Sequence, residues 1–187
     1  MKQDWIQRID QNTALYIEYF GALSWENLNW KSTEENWSIG QIIDHVNKIN
    51  QDYFEVFQKL ISDQLKIPII MRRKALSNYF GNMLLQSIEP ERTKKTKTMK
   101  IWEPDTQPIS TNIVDHFIEN QNRFIGLTHD LNEVIRINPT IHSPITKWIT
   151  LPLNTAIEML IQHELRHFNQ AKELLGLIEE SKQIEKA

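Results

Sequence analysis

Leu160-Ile161-Gln162-His163-Glu164-Leu165-Arg166-His167-Phe168-Asn169-Gln170 is the stretch whose reading decides the fold. Histidines four residues apart on a helix share a face, with Cβ atoms about 5–6 Å apart. Both imidazoles then reach one divalent cation at about 2.0–2.1 Å. The pattern H-E-x-x-H is also the signature of zinc proteases, in which the glutamate is the general base. The extended form of that signature needs a glycine that breaks the helix three residues after the second histidine. Gln170 stands in that place, and Glu173 in the place of the last ligand. If the helix continues, Glu173 turns away from both histidines. Ile157, Leu160, Ile161, Phe168, Ala171, Leu175 and Ile178 recur at three-to-four spacing through and beyond the motif, so the stretch reads as one unbroken amphipathic helix. His163 and His167 lie toward one flank of its apolar face. Glu164 falls in the middle of that face, where a carboxylate is costly unless paired.

Moving outward, this last helix starts near Pro152 with Asn154 as a candidate cap, and runs to about residue 177 before a charged, fraying tail. Residues 134–150 are rich in proline and β-branched residues and read as an extended loop or a short hairpin. A third helix covers about 111–131, with Ile113, Phe117, Phe124 and Leu131 as its stripe. Residues 66–110 form a long connection in which 72–87 has helical spacing. The run from Glu91 to Lys100 reads as a solvated basic loop, since no aromatic residues are interleaved for base stacking.

The second helix has the clearest start. Ser38 and Gln41 form a capping box, with Trp37 and Ile42 as its hydrophobic staple. Ile39, Ile42, Ile43, Val46, Ile49, Tyr53, Val56, Phe57 and Leu60 mark one face to about residue 64, with His45 at its rim. The first helix covers 3–20, with Trp5, Ile6, Ile9, Tyr16, Ile17 and Phe20 on its face and Gly21 as its stop. Trp5, Tyr16, Tyr53, Phe117 and Trp148 read as core. Four long amphipathic helices imply an all-α four-helix bundle, 1–187 as a single domain, with a long crossover between the second and third helices.

The net charge of −3 announces no surface for nucleic acid. No apolar run is long enough to span a membrane. The absence of cysteine removes disulfides and thiolate ligands from the protein itself and fits a reducing cytoplasm.

A metal site needs a third ligand beside His163 and His167. Its candidates are His45, His116 and Glu173. His45 shares the rim placement of the other two histidines and is favoured; His129 and His142 are weaker candidates.

Trp37-Ser-Ile-Gly-Gln-Ile-Ile-Asp-His45 resembles the second-helix entry of the DinB-like superfamily, and Thr150-Leu-Pro-Leu-Asn154 followed by His163-Glu-Leu-Arg-His167-Phe-Asn-Gln170 resembles its last helix. The resemblance implies an up-down-down-up bundle, often a homodimer, holding a divalent metal such as zinc, nickel or iron on His45, His163 and His167. It also implies kinship with S-transferases that use a low-molecular-weight thiol as co-substrate. The expected function is therefore a metal-dependent thiol transferase or hydrolase acting on a small molecule. Glu164 is a candidate catalytic residue that accepts a proton or orients a ligand histidine, with a salt-bridged helix-face carboxylate as the other reading. A non-catalytic metal- or ligand-binding bundle and an H-E-x-x-H protease are the alternatives.

Overall fold

The computed structural model describes residues 2–88 and 98–184. Its elements are α1 (Lys2–Phe20), α2 (Trp25–Asn29), α3 (Ile39–Ile61), α4 (Lys74–Ser87), α5 (Ile113–Asp130), α6 (Asn132–Ile137), β1 (Thr140–Ser143), β2 (Thr146–Pro152) and α7 (Leu153–Ile184). Short 3-10 turns occupy Ile69–Arg72 and Lys100–Trp102. The chain is predominantly helical, as the periodicity requires. Most of the basic loop, positions 91–97, lies outside the described residues.

The long helices α1, α3, α5 and α7 form the bundle. Each packs on two others: α1 and α3 both lie against α5 and α7. Contacts along the helices give their directions. Asn12 meets Glu164 and Lys172 meets Tyr19, so α1 and α7 run parallel. Asn47 and Gln51 both meet Asn120, and Phe54 meets Phe124, so α3 and α5 run parallel. Tyr53 reaches Met159 while Asn50 reaches Glu164, so α3 opposes α7. The order is up-down-down-up. The first two long helices, α1 and α3, are antiparallel, and they face each other across the bundle without packing side by side.

Local chemistry explains the ends. The Ser38 side chain accepts from the Gln41 N–H at 3.2 Å, and the Gln41 side chain accepts from the Ser38 N–H at 3.2 Å, so the capping box forms as read. Asn154 does not cap α7. Its backbone N–H donates to Asn138 Oδ1 at 2.9 Å, and Asn138 holds a left-handed conformation (φ 49°) that brings this side chain back to the helix start. α7 continues past residue 177 to Ile184, because Ile178 is still buried. The 134–150 segment opens with α6 before turning into an antiparallel hairpin that pairs Ile141 with Leu151. Two residues expected inside lie on the surface: Ile17 is 46% exposed and Trp148 is 63% exposed.

The crossover returns along the first half of α3. Gln41 Nε2 donates to Asp105 O at 2.7 Å, Lys48 Nζ donates to Glu103 O at 3.2 Å, and Asp44 accepts from the Asp105 N–H at 3.1 Å. Gly40 permits this approach: a Cβ there would sit 2.9 Å from Ile109 Cβ and 3.1 Å from Leu28 O. In an open helix, glycine to alanine would gain about 1 kcal/mol. Here Gly40→Ala is expected to lose about 1–3 kcal/mol through overpacking, read as a lower urea midpoint with an unchanged slope.

Candidate metal centre

His45 comes from the second turn of α3, and His163 and His167 come from adjacent turns of α7. Because α3 and α7 run in opposite directions side by side, the three rings converge from two walls. Ring centroids are 5.2 Å apart for His45 and His163, 4.8 Å for His45 and His167, and 4.4 Å for His163 and His167. Among the described residues, these three form the one group of potential ligands close enough to share an ion, with one ligand atom from each within 4.8 Å of the others. His116 is elsewhere, its Nε2 3.1 Å from Asn112 Nδ2 on an exposed face. Glu173 borders the same cleft but stands outside the group.

Hydrogen bonds set the tautomers. His45 Nδ1 donates to the Trp102 carbonyl at 2.7 Å, and His167 Nδ1 donates to Gln170 Oε1 at 2.9 Å. Each ring therefore keeps the Nε2 lone pair for a ligand, the arrangement in which an outer hydrogen bond orients a metal-binding imidazole. The Trp102 carbonyl is itself held in place, since Trp102 Nε1 donates to Asp52 Oδ2 at 2.7 Å. Trp37 sets its ring 5.0 Å from that of His45.

A divalent cation fits these residues. His163 Nε2 and His167 Nε2 are 3.0 Å apart. Two nitrogens bonded to one ion at about 2.0–2.1 Å are about 2.9–3.4 Å apart as the bond angle goes from right-angled to tetrahedral. Without an ion, a proton on His163 Nε2 bridges the pair. A bound cation would take the place of that proton, and His163 Nδ1, buried without a hydrogen-bond partner, could carry it instead. Burial lowers the pKa of all three imidazoles. For His163 the neighbouring histidines and Arg166 add to the effect, and His167 is lowered to about 3. All three are thus neutral at pH 7, the form that binds metal. Gln170→Ala, which removes the outer hydrogen bond of His167, is expected to weaken divalent-ion affinity about tenfold in a chelator competition titration.

The site opens on a cleft of about 1200 Å³ between α3, α7, the crossover and the hairpin. Along the two helices, Ile49, Tyr53 and Met159 lie on one side of the triad, and Gln170 and Lys172 on the other.

Glu164 is fully buried, but it does not face this cleft. Its Oε1 accepts from Asn50 Nδ2 at 2.8 Å and Gln121 Nε2 at 2.9 Å, and its Oε2 accepts from Asn12 Nδ2 at 2.9 Å. One residue from each long helix meets at the bundle centre. Burial raises the carboxyl's pKa, and the three amides oppose that rise. The expected salt bridge is replaced by neutral donors. The protease arrangement, with a glutamate facing the metal beside the second histidine, is not the one adopted. The three amides were not singled out in the sequence, although a signal was there. Asn12 sits between Ile9 and Tyr16, Asn50 between Val46 and Phe54, and Gln121 between Phe117 and Phe124, each a polar residue on an apolar stripe.

A family model described as the DinB superfamily matches residues 8–171. No curated protein and no solved structure gives a significant match.

Proposed function

The chain belongs to the DinB superfamily, and from that premise we propose a divalent-metal-dependent enzyme that acts on a small molecule through His45, His163 and His167. The observation that carries this reading is the convergence of three neutral imidazoles, two with their outer nitrogens already hydrogen-bonded, on an open cleft. A zinc, nickel or iron ion held there supplies Lewis acidity, lowering the pKa of a water or thiol toward neutrality.

The chain's own residues prepare the site. The Trp102 carbonyl and Gln170 aim the His45 and His167 rings. Apolar side chains of α3 and α7 exclude water on one side of the triad. Glu164 is a positioning residue: by joining α7 to α1, α3 and α5, it fixes the rotation of α7 that points His163 and His167 into the cleft.

Transfer from a low-molecular-weight thiol to an electrophile is placed ahead of hydrolysis. A cleft of about 1200 Å³ is larger than the roughly 300–1,000 Å³ typical for one small ligand, which suits two reactants. The proposal includes a homodimer, for which Ile69, Ile70 and Tyr79 supply exposed apolar side chains, and a cytoplasmic setting, supported by the cysteine-free composition. Among the described residues, no helix is long and apolar enough to cross a membrane.

The test is metal analysis of purified protein and of His163→Ala, followed by a screen of small thiols against a chromogenic aryl halide. One metal per chain, lost in the variant, with thiol-dependent product formation is expected. Metal without turnover would favour the non-catalytic bundle, and no metal even after supplementation would sink the enzyme reading.

A further inference from the structure

The cleft is chemically divided, and the triad stands at the division. Along α7, Met159 lies one turn before His163, whereas Gln170 and Glu173 follow His167. Along α3, Ile49 and Tyr53 follow His45 at successive four-residue steps on the same face. Because the helices are antiparallel, Ile49, Tyr53 and Met159 all fall on one side of the histidines. Ile145 and Ile149 of the hairpin region add apolar lining to the same cleft. The opposite side, toward the mouth, carries Asn36 and the exposed Gln170, Lys172 and Glu173, with Trp37 beside the His45 ring.

The inner lobe ends on polar atoms. Tyr53 and Ser143 are almost fully buried and line the cleft, and the Ser143 side chain is the hydrogen-bonding neighbour of the Tyr53 hydroxyl. Among the described residues, that hydroxyl donates to Met159 Sδ at 3.9 Å, a weak acceptor that an oxygen would displace. Met159 is itself an unbranched, adaptable wall.

We propose that this inner lobe is the specificity site for the apolar body of the substrate, and that Tyr53 and Ser143 hold a polar atom, a hydroxyl or carbonyl, at its far end. The substrate class is an elongated, mainly aliphatic or aromatic molecule that reacts at the end nearest the histidines. Eight residues of continuous helix separate His45 from Tyr53, about 12 Å along the axis at about 1.5 Å per residue. A hydrogen bond takes up about 3 Å of this, leaving about 9 Å, or roughly seven or eight carbons in extended form. The inference rests on the proposed function only for which end reacts; binding in the lobe does not require the metal.

The experiment is calorimetric titration of the full chain, as purified and after chelation, with straight-chain 1-alkanols from butanol to decanol. Affinity is expected to rise about fourfold per methylene up to about seven or eight carbons, then level off as the chain reaches the triad and the polar mouth. Tyr53→Phe keeps the ring and is expected to weaken 1-octanol binding about three- to tenfold, with metal content unchanged. Ser143→Ala is read the same way if Tyr53→Phe does not fold. A rise that continues through decanol, no binding at the solubility limit of octanol, or wild-type octanol affinity in the hydroxyl variants would each overturn the proposal. Loss of metal binding with the alkanol pattern intact would count against the metal reading alone.

Discussion

Adding a divalent cation to metal-free protein is expected to stabilise it by about 4 kcal/mol at a thousandfold excess over Kd, and His45→Ala is expected to remove the effect. In a chain of this size, that corresponds to a rise in Tm of about 8–16 °C. His45 is the informative position because it is the ligand contributed by α3, more than a hundred residues from the other two in sequence. Its removal breaks one hydrogen bond, to the Trp102 carbonyl, worth about 1 kcal/mol, so the variant should remain folded. Element analysis and thermal melts, with and without cation, give the answer; one equivalent retained in His45→Ala with an undiminished shift would refute the three-histidine site. The dependence on pH has a definite sign. The unfolded chain protonates its histidines below about pH 6.5, whereas burial lowers the pKa of the native ones, for His163 well below that value and for His167 to about 3. The unfolded state therefore binds more protons in that window. The metal-free protein should lose stability as pH falls from about 6.5, by up to about 1.4 kcal/mol per unit per histidine, with no such loss above it.

The second large effect is at the bundle centre. Glu164→Ala strands three buried amide donors, those of Asn12, Asn50 and Gln121. Each unsatisfied donor costs about 1–3 kcal/mol, and partial rotation of the amides recovers some of it, so a total loss of about 3–5 kcal/mol is expected. Glu164→Gln should lose less. It keeps one acceptor oxygen, and its new N–H2 can face Asn50 Oδ1 and Gln121 Oε1, both buried without a hydrogen-bond partner. Urea unfolding of the two variants measures the difference. Turnover separates positioning from proton transfer: a folded, metal-replete Glu164→Gln that lost about 10²–10⁴ in kcat would make the carboxylate a general base or acid. A positioning residue retains kcat within a few-fold.

How much was legible differs between residues in a physically consistent way. The Ser38–Gln41 box and the α3 stripe formed as read, because caps and amphipathic faces depend on neighbours within a few residues. Ile17 and Trp148 misled, because an apolar side chain gains from burial only if another element arrives to cover it, and here none covers them well. Asn12, Asn50 and Gln121 were visible as polar interruptions of apolar stripes, but nothing in any one helix says that all three interruptions stand at the same level.

The sequence by itself determined the helices, the H-x-x-x-H pair on one face and the rim placement of His45, since the helical repeat alone sets which side chains share a face. Tertiary structure decided the roles. Antiparallel packing of α3 on α7 brought His45 to the pair, and parallel packing of α1 with α7 and of α3 with α5 gathered three amides around Glu164. Two residues on one helix turn are related by the geometry of the backbone. Residues on different helices are related only by the register in which those helices pack, and that register is set jointly by every side chain at the interface.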